Sequence, residues 1–180
     1  LTLVRAARAA HARVLATIFV NPTQFGVGED LSQYPRTLAT DLDLLRASGV
    51  DLVFTPPAES IYPPGYQTYV EVEEVTHRLE GAARPGHFRG VATVVSKLLN
   101  LTAYFGQKDA QQVVVIRRMV RDLDFPYEIA VIPTVRDADG LALSSRNRFL
   151  TPEQRASSPA LHRALLAAQS AYDMGEREPD

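Results

Sequence analysis

A chain of 180 residues, 46% of them apolar, is long enough to bury one substantial core with the start of a second unit attached. A formal charge of −2 without any long basic run excludes a surface built for nucleic-acid backbone and points to small-molecule chemistry. With no Cys, disulfides, thiolate catalysis and Cys-ligated metals are excluded; no apolar run is long enough to span a bilayer, and an intracellular, cytoplasmic setting is the expectation.

Leu1, Val4 and Ala7 stand at helical spacing, so residues 1–8 read as mid-helix with no cap, initiator Met or signal peptide before them. The charged tail 176–180 follows a helical pattern just as abruptly, and an internal piece of a longer protein is expected. Residues 14–20 are short, apolar and β-branched, which predicts a strand covered on both faces of a parallel sheet, ending at Asn21-Pro22. Thr37 offers a cap for a helix carrying Leu38, Leu42 and Leu45, Gly49 ends it, and a second strand over 51–55 completes a βαβ unit.

Downstream, 91–101 reads as a buried helix, 102–105 as a strand, and 110–123 as a helix with Val113, Ile116, Val120 and Leu123 inward. A strand over 128–132 precedes Pro133. Thr151, Pro152 and Gln154 announce a last helix, which Pro159 should kink or restart. The expected fold is α/β: a Rossmann-like parallel sheet with helices on both faces over 1–133, then a hinge and the beginning of a smaller domain over 134–180. The junction between Leu101 and Thr102 carries no turn residue, which suggests omitted positions.

In doubly wound sheets, ligands bind where strand ends and helix starts converge. Gly106-Gln107-Lys108-Asp109 lies at such a place, so helix-start N–H groups and the Lys108 ammonium can face one anion. The same four residues also read as a turn at Gly106 with Asp109 capping the helix and Gln112 completing the cap. Leu143-Ser144-Ser145-Arg146-Asn147 follows the turn 137–140 and offers two hydroxyls and a guanidinium for phosphate oxygens, or a solvated polar loop. Asn21 and Gln24 end the first strand, where an amide can fix a substrate hydroxyl or carboxylate or simply make an Asn-Pro turn. The segment Arg84-Pro85-Gly86-His87-Phe88-Arg89-Gly90 is basic and suits an anion, though His87 also reads as a packed loop residue. Asp41 can bind Mg2+ or sit on a solvated helix face. His11, His77 and His162 are scattered, with structural roles expected and no zinc-ligand spacing.

Taken together, Ile18-Phe19-Val20-Asn21-Pro22-Thr23-Gln24-Phe25, Tyr34-Pro35-Arg36-Thr37, Leu79-Glu80-Gly81, the segment from Arg84 to Val91, Phe105-Gly106-Gln107-Lys108-Asp109 and Leu143-Ser144-Ser145-Arg146-Asn147 closely resemble the pantoate–β-alanine ligase family in order and spacing. The resemblance implies a nucleotidyltransferase-type Rossmann-like domain and an ATP-dependent, two-step reaction: pantoate is adenylated, then β-alanine displaces AMP. It implies ATP contacts from Gly106, Gln107, Lys108, Asp109, Val135, Leu143, Ser144, Ser145 and Arg146. Among these, Lys108 and the triplet Ser144, Ser145 and Arg146 serve the phosphates. It places Gln24 and Gln112 at pantoate, with Gln24 also near β-alanine, Asn21 and His87 on the substrate side, and Asp41 near Mg2+. A homodimer is implied as well.

Three departures stand out. The family's Pro-Thr-x-Gly-x-Leu-His-x-Gly-His signature belongs upstream of Leu1, and the residues at hand are expected to be inactive without it. Gln107 and Ala110 replace the usual Glu and a bulky residue. The family carries a few more residues between Leu101 and Thr102. Another nucleotidyltransferase, such as a cytidylyltransferase, and an inactive nucleotide-binding module are the competing readings; Gln24 and Gln112 speak against the first.

Overall fold

The computed structural model describes residues 1–26, 28–99, 103–126 and 128–177. The suspected omission at Leu101 and Thr102 lies outside these. The chain divides into two compact units, Leu1–Pro133 and Thr134–Asp180.

The first unit opens with α1 (Thr2–Ala10), which buries Ala7 and packs against strands later in the chain. Strand β1 (Leu15–Thr17) follows, then a 3-10 turn at Pro22–Gln24 and α2 (Leu38–Ala47). Gly49 follows α2 at φ +77, the left-handed region that a side chain resists. Strand β2 (Leu52–Phe54) returns parallel to β1, pairing Leu15 with Leu52 and Thr17 with Phe54. Asp51 sets this register: its carboxylate accepts from Val14 N–H at 2.8 Å and pairs with Arg8 at 2.8 Å. That backbone bond is also the chief reason its carboxyl lies below the usual Asp range.

The short helices α3 (Ala58–Ile61) and α4 (Glu80–Ala83) precede α5 (His87–Leu98), strand β3 (Ala103–Gly106), α6 (Ala110–Asp122) and strand β4 (Ile129–Ile132). Strands β3 and β4 are parallel, with α6 as the crossover. The core lies between α5 and α6, where Phe88, Val91, Ala92, Val115, Ile116 and Met119 are nearly fully buried. Each large side chain there contributes about 1.5–3 kcal/mol of burial.

Three expectations are corrected, and one is given in finer detail. The first strand is three residues rather than seven, and Leu15 is 52% exposed, because among the described residues β1 pairs on one edge only. The parallel α/β arrangement is as expected; among the described residues its strands pair as two two-stranded ladders, with a cleft of about 530 Å³ lined by α1, β1 and β3. Helix α5 starts at His87, four residues before the expected start, since Gly86 at φ +82 turns the chain into it. Leu123 is 47% exposed, and the inner stripe of α6 takes Val115 and Met119 instead, because α5 packs on that side.

The second unit begins with a hairpin-like turn in which Arg136 pairs with Ala142 and Gly140 sits at φ +95. A 3-10 helix at Ser145–Phe149 leads to α7 (Pro152–Ser157) and α8 (Ala160–Asp173). Thr151 and Gln154 form the expected capping box. Pro159 ends one helix and stands at the cap of the next.

Candidate functional site

At the end of β3, Gly106 still pairs with Ile132, and Gln107 N–H donates to Ile132 O at 2.8 Å. The chain then turns directly into α6. The turn reading is met in position only, with Asp109 at the cap of α6. Gly106 has an ordinary φ and a Cβ on it would meet nothing within 4 Å, so neither backbone nor packing requires glycine. Asp109 occupies the cap position but its side chain makes no cap hydrogen bond; it lies 3.5 Å from the half-exposed Lys108 ammonium. The start of α6 therefore offers N–H groups, the positive end of a 13-residue helix and one cation beside open space. Gln112 stands half-buried on the first turn of that helix.

The turn that follows β1, from Asn21 to Gln24, is built in the opposite way. Asn21 is 3% exposed. Its Oδ1 accepts from Thr23 N–H at 3.3 Å and the Thr23 hydroxyl at 2.9 Å, while Nδ2 donates to Gly90 O at 3.0 Å and Gln24 Oε1 at 3.1 Å. The Thr23 oxygen also lies 3.1 Å from the Tyr62 hydroxyl, whose pKa burial pushes up. His87, 8% exposed, uses Nδ1 on the Gln24 carbonyl at 2.7 Å and Nε2 toward Arg84 at 3.3 Å. Gln24 itself lines a cleft of about 520 Å³ with His87, Arg84 and Tyr69.

The basic segment that looked suited to an anion is largely committed within the protein. Arg84 grips Glu29 with two bonds, at 2.8 and 2.5 Å, and reaches Glu80 and the Gln24 carbonyl. Those carboxylates hold the guanidinium firmly charged, and Arg84 in turn holds the Glu29 carboxyl below its ordinary range. Arg89 stacks on the Tyr69 ring, 3.9 Å from its centroid. Sequence reading missed Glu29, Arg84 and Gly90 as parts of this cluster. The only local trace was a Gly where α5 meets the Thr23 main chain, a contact far away in sequence.

Asp41 lies on the first turn of α2, with the Thr37 hydroxyl 3.3 Å from both its carboxylate oxygens. Among the described residues no three His, Cys, Asp or Glu side chains gather as a metal cage. His11 bonds the Tyr104 hydroxyl at 2.9 Å, and the His162 ring would clash with a Cβ at Gly140.

In the second unit, Leu143 N–H donates to Val135 O at 2.9 Å, which sets these two exposed apolar side chains on neighbouring strands of the hairpin. Ser144 is half-buried and its hydroxyl accepts from Arg146 N–H at 3.3 Å, whereas Ser145 and Arg146 are exposed. Below them Arg155 ties Asp137 and Asp139 together, fixing the hairpin.

Parallel strands joined by helical crossovers define an α/β protein of the Rossmann-like class. Comparison with known proteins gives the particular family. The family model described as pantoate-beta-alanine ligase matches residues 1–179, and the chain belongs to that family. A pantothenate synthetase of Herpetosiphon aurantiacus is 59% identical over the whole chain and 67% of its own length. The crystal structure of pantothenate synthetase from Thermus thermophilus superimposes with a TM-score of 0.93 at 53% identity, over 97% of this chain and 65% of that one. A pantoate-beta-alanine ligase from Francisella tularensis, complexed with beta-gamma ATP and beta-alanine, matches at TM-score 0.84 and 40% identity, over 90% of this chain and 64% of that one. The chain spans about two thirds of the length of the curated relatives it matches. No described helix is long and apolar enough to cross a membrane.

Proposed function

We propose that this protein condenses pantoate with β-alanine at the expense of ATP. The pantoate carboxylate attacks the α-phosphorus and pyrophosphate leaves; the β-alanine amine then attacks the acyl carbon of pantoyl adenylate, and AMP leaves as pantothenate forms. Both nucleophiles come from substrates, so the protein needs to place groups and stabilise phosphate charge rather than supply a nucleophile. The observation that carries the reading is the end of β3. There no described atom lies within 4 Å of a Cβ placed on Gly106 and Lys108 stands half-exposed beside the start of α6, which fits a polyphosphate lying against the backbone.

Lys108 is assigned to the phosphates, Gly106, Gln107 and Asp109 to the nucleotide, and Gln24 and Gln112 to pantoate, with Gln24 also near β-alanine. Ser144, Ser145 and Arg146 are assigned as further phosphate ligands, and Val135 and Leu143 as apolar contacts to the nucleotide. Residues 1–133 serve as the nucleotide-binding domain and 134–180 as a hinge with the start of a second domain. Mg2+ would enter with ATP. Asp41 is assigned as its protein ligand, and phosphate oxygens and water would supply the rest, since this ion rarely uses an all-protein cage. A homodimer in the cytoplasm completes the reading and rests on family membership, while the charge of −2 and the lack of a long basic or membrane-length apolar run speak against nucleic-acid and membrane partners.

Incubating the complete protein with ATP, Mg2+, pantoate and β-alanine should yield AMP and pantothenate in equal amounts. AMP release that ignores β-alanine, or CMP-linked products, would overturn the assignment.

A further inference from the structure

The end of β1 holds a chain of hydrogen bonds whose direction is set by the backbone. Thr23 N–H can only donate, so the Asn21 atom that meets it is Oδ1; Gly90 C=O can only accept, so the atom that meets it is Nδ2. The amide of Asn21 is therefore locked in one orientation. Its remaining N–H faces the Gln24 side chain at 3.1 Å, which makes that contact atom Oε1 and turns the Gln24 NH2 to the opposite side. Gln24 lines the cleft there.

His87 is fixed by the same logic. The Gln24 carbonyl can only accept and the Arg84 guanidinium can only donate, so the ring carries its proton on Nδ1 and accepts at Nε2. Arg84 donates a second bond to the Gln24 carbonyl and is itself held by Glu29 and Glu80. Asn21 and His87 thus have their polar atoms engaged inside the chain while being 3% and 8% exposed.

We propose that Asn21 and His87 are positioning residues that never touch substrate: they clamp Gln24 at its amide oxygen and its carbonyl so that its NH2 presents donors to an acceptor oxygen of pantoate. This rests on the reading of Gln24 as a pantoate contact. It also fixes the polarity of that contact, because a Gln24 free to rotate would offer donor or acceptor with equal ease, and the clamp removes the second choice.

The test is a double-mutant cycle in the complete enzyme, with Gln24→Ala, Asn21→Ser and the pair, reading the KM for pantoate and for ATP separately. Each single variant should raise the pantoate KM by about tenfold, the size of one well-placed hydrogen bond, and leave the ATP KM alone. The double variant should match Gln24→Ala, since Asn21 acts only through Gln24. A double variant clearly worse than Gln24→Ala, or an Asn21→Ser protein with both KM values raised alike, overturns the inference. A Gln24→Ala protein with an unchanged pantoate KM refutes instead the reading of Gln24, and the inference with it. Should Asn21→Ser fail to fold, the wild-type protein decides by NMR. On adding pantoate, the side-chain NH2 signals of Gln24, assigned by their loss in Gln24→Ala, should move more than those of buried Asn21; the reverse order would sink the proposal.

Discussion

The ends of β1 and β3 meet the same topological requirement in opposite ways. At β1, Asn21, Thr23, Gln24, Arg84 and His87 are joined by hydrogen bonds that use up the polar atoms of the buried members. At β3, Gly106 leaves open space, the Asp109 side chain makes no cap hydrogen bond, and among the described residues Lys108 has only a 3.5 Å contact with its neighbour. A closed network specifies one geometry and is costly to break; an open helix start spends nothing on itself and is available to a ligand. Damage at β3 should therefore appear in turnover with folding intact, and damage at β1 should appear in folding and pantoate binding together.

The largest effect is expected from Lys108→Ala. Removing a charged donor aimed at phosphate lowers turnover by about 10²–10³-fold. A half-exposed side chain at a strand end should leave unfolding stability within about 0.5 kcal/mol. Steady-state kinetics beside chemical denaturation measure both; a variant that unfolds easily would make Lys108 structural and erase the contrast with β1.

Gly90→Ala should do the opposite. A Cβ at Gly90 would stand 2.4 Å from Thr23 O and 2.8 Å from Gln24 N, both main-chain atoms that cannot swing aside. Helix α5 or the Pro22–Gln24 turn must shift, at about 1–3 kcal/mol, the usual cost of forcing atoms into a packed site. Because Gly90 O also anchors Asn21, the pantoate KM should rise with the loss of stability. An Ala variant as stable as wild type would show that the clamp is looser than its hydrogen bonds imply.

How much of this contrast the sequence reveals follows from the range of the forces involved. Local patterns were readable: Gly49 after α2, the Thr151 and Gln154 capping box, and the restart at Pro159 all depend on residues within a turn of each other. Strand β1 is shorter than its composition suggests because apolar, β-branched residues report on preference, whereas the observed span depends on which edges find a partner. The cluster around Gln24 was half visible. Asn21 and His87 stood out as polar residues in suggestive segments, but their partners Gly90 and Gln24 lie 69 and 63 positions away, and nothing local says that they face inward. The pairing of Arg84 with Glu29, 55 positions apart, was hidden for the same reason, so a segment read as free positive charge is in fact neutralised.

That pairing yields the smallest and most selective prediction, on pH. The Glu29 carboxyl lies below its ordinary 4.5, chiefly through its hydrogen bonds from Arg84. The native state thus favours the ionised form more than the unfolded chain does. Its stabilising contribution is complete above about 4.5 and is lost as pH falls through the lowered native value. Asp51 and Asp139 are lowered by their own partners, so acid sensitivity as a whole cannot single out Glu29. A difference measurement can. The gap in denaturant stability between wild type and Glu29→Gln should be widest near neutrality and should close on the acid side. At neutral pH the same variant should bind pantoate more weakly while its ATP KM stays put, because Glu29 steadies Arg84, and Arg84 reaches Gln24 rather than the end of β3. A gap that ignores pH would show that Glu29 acts by packing alone; an ATP KM that rises with it would mean that the two strand ends are not independent.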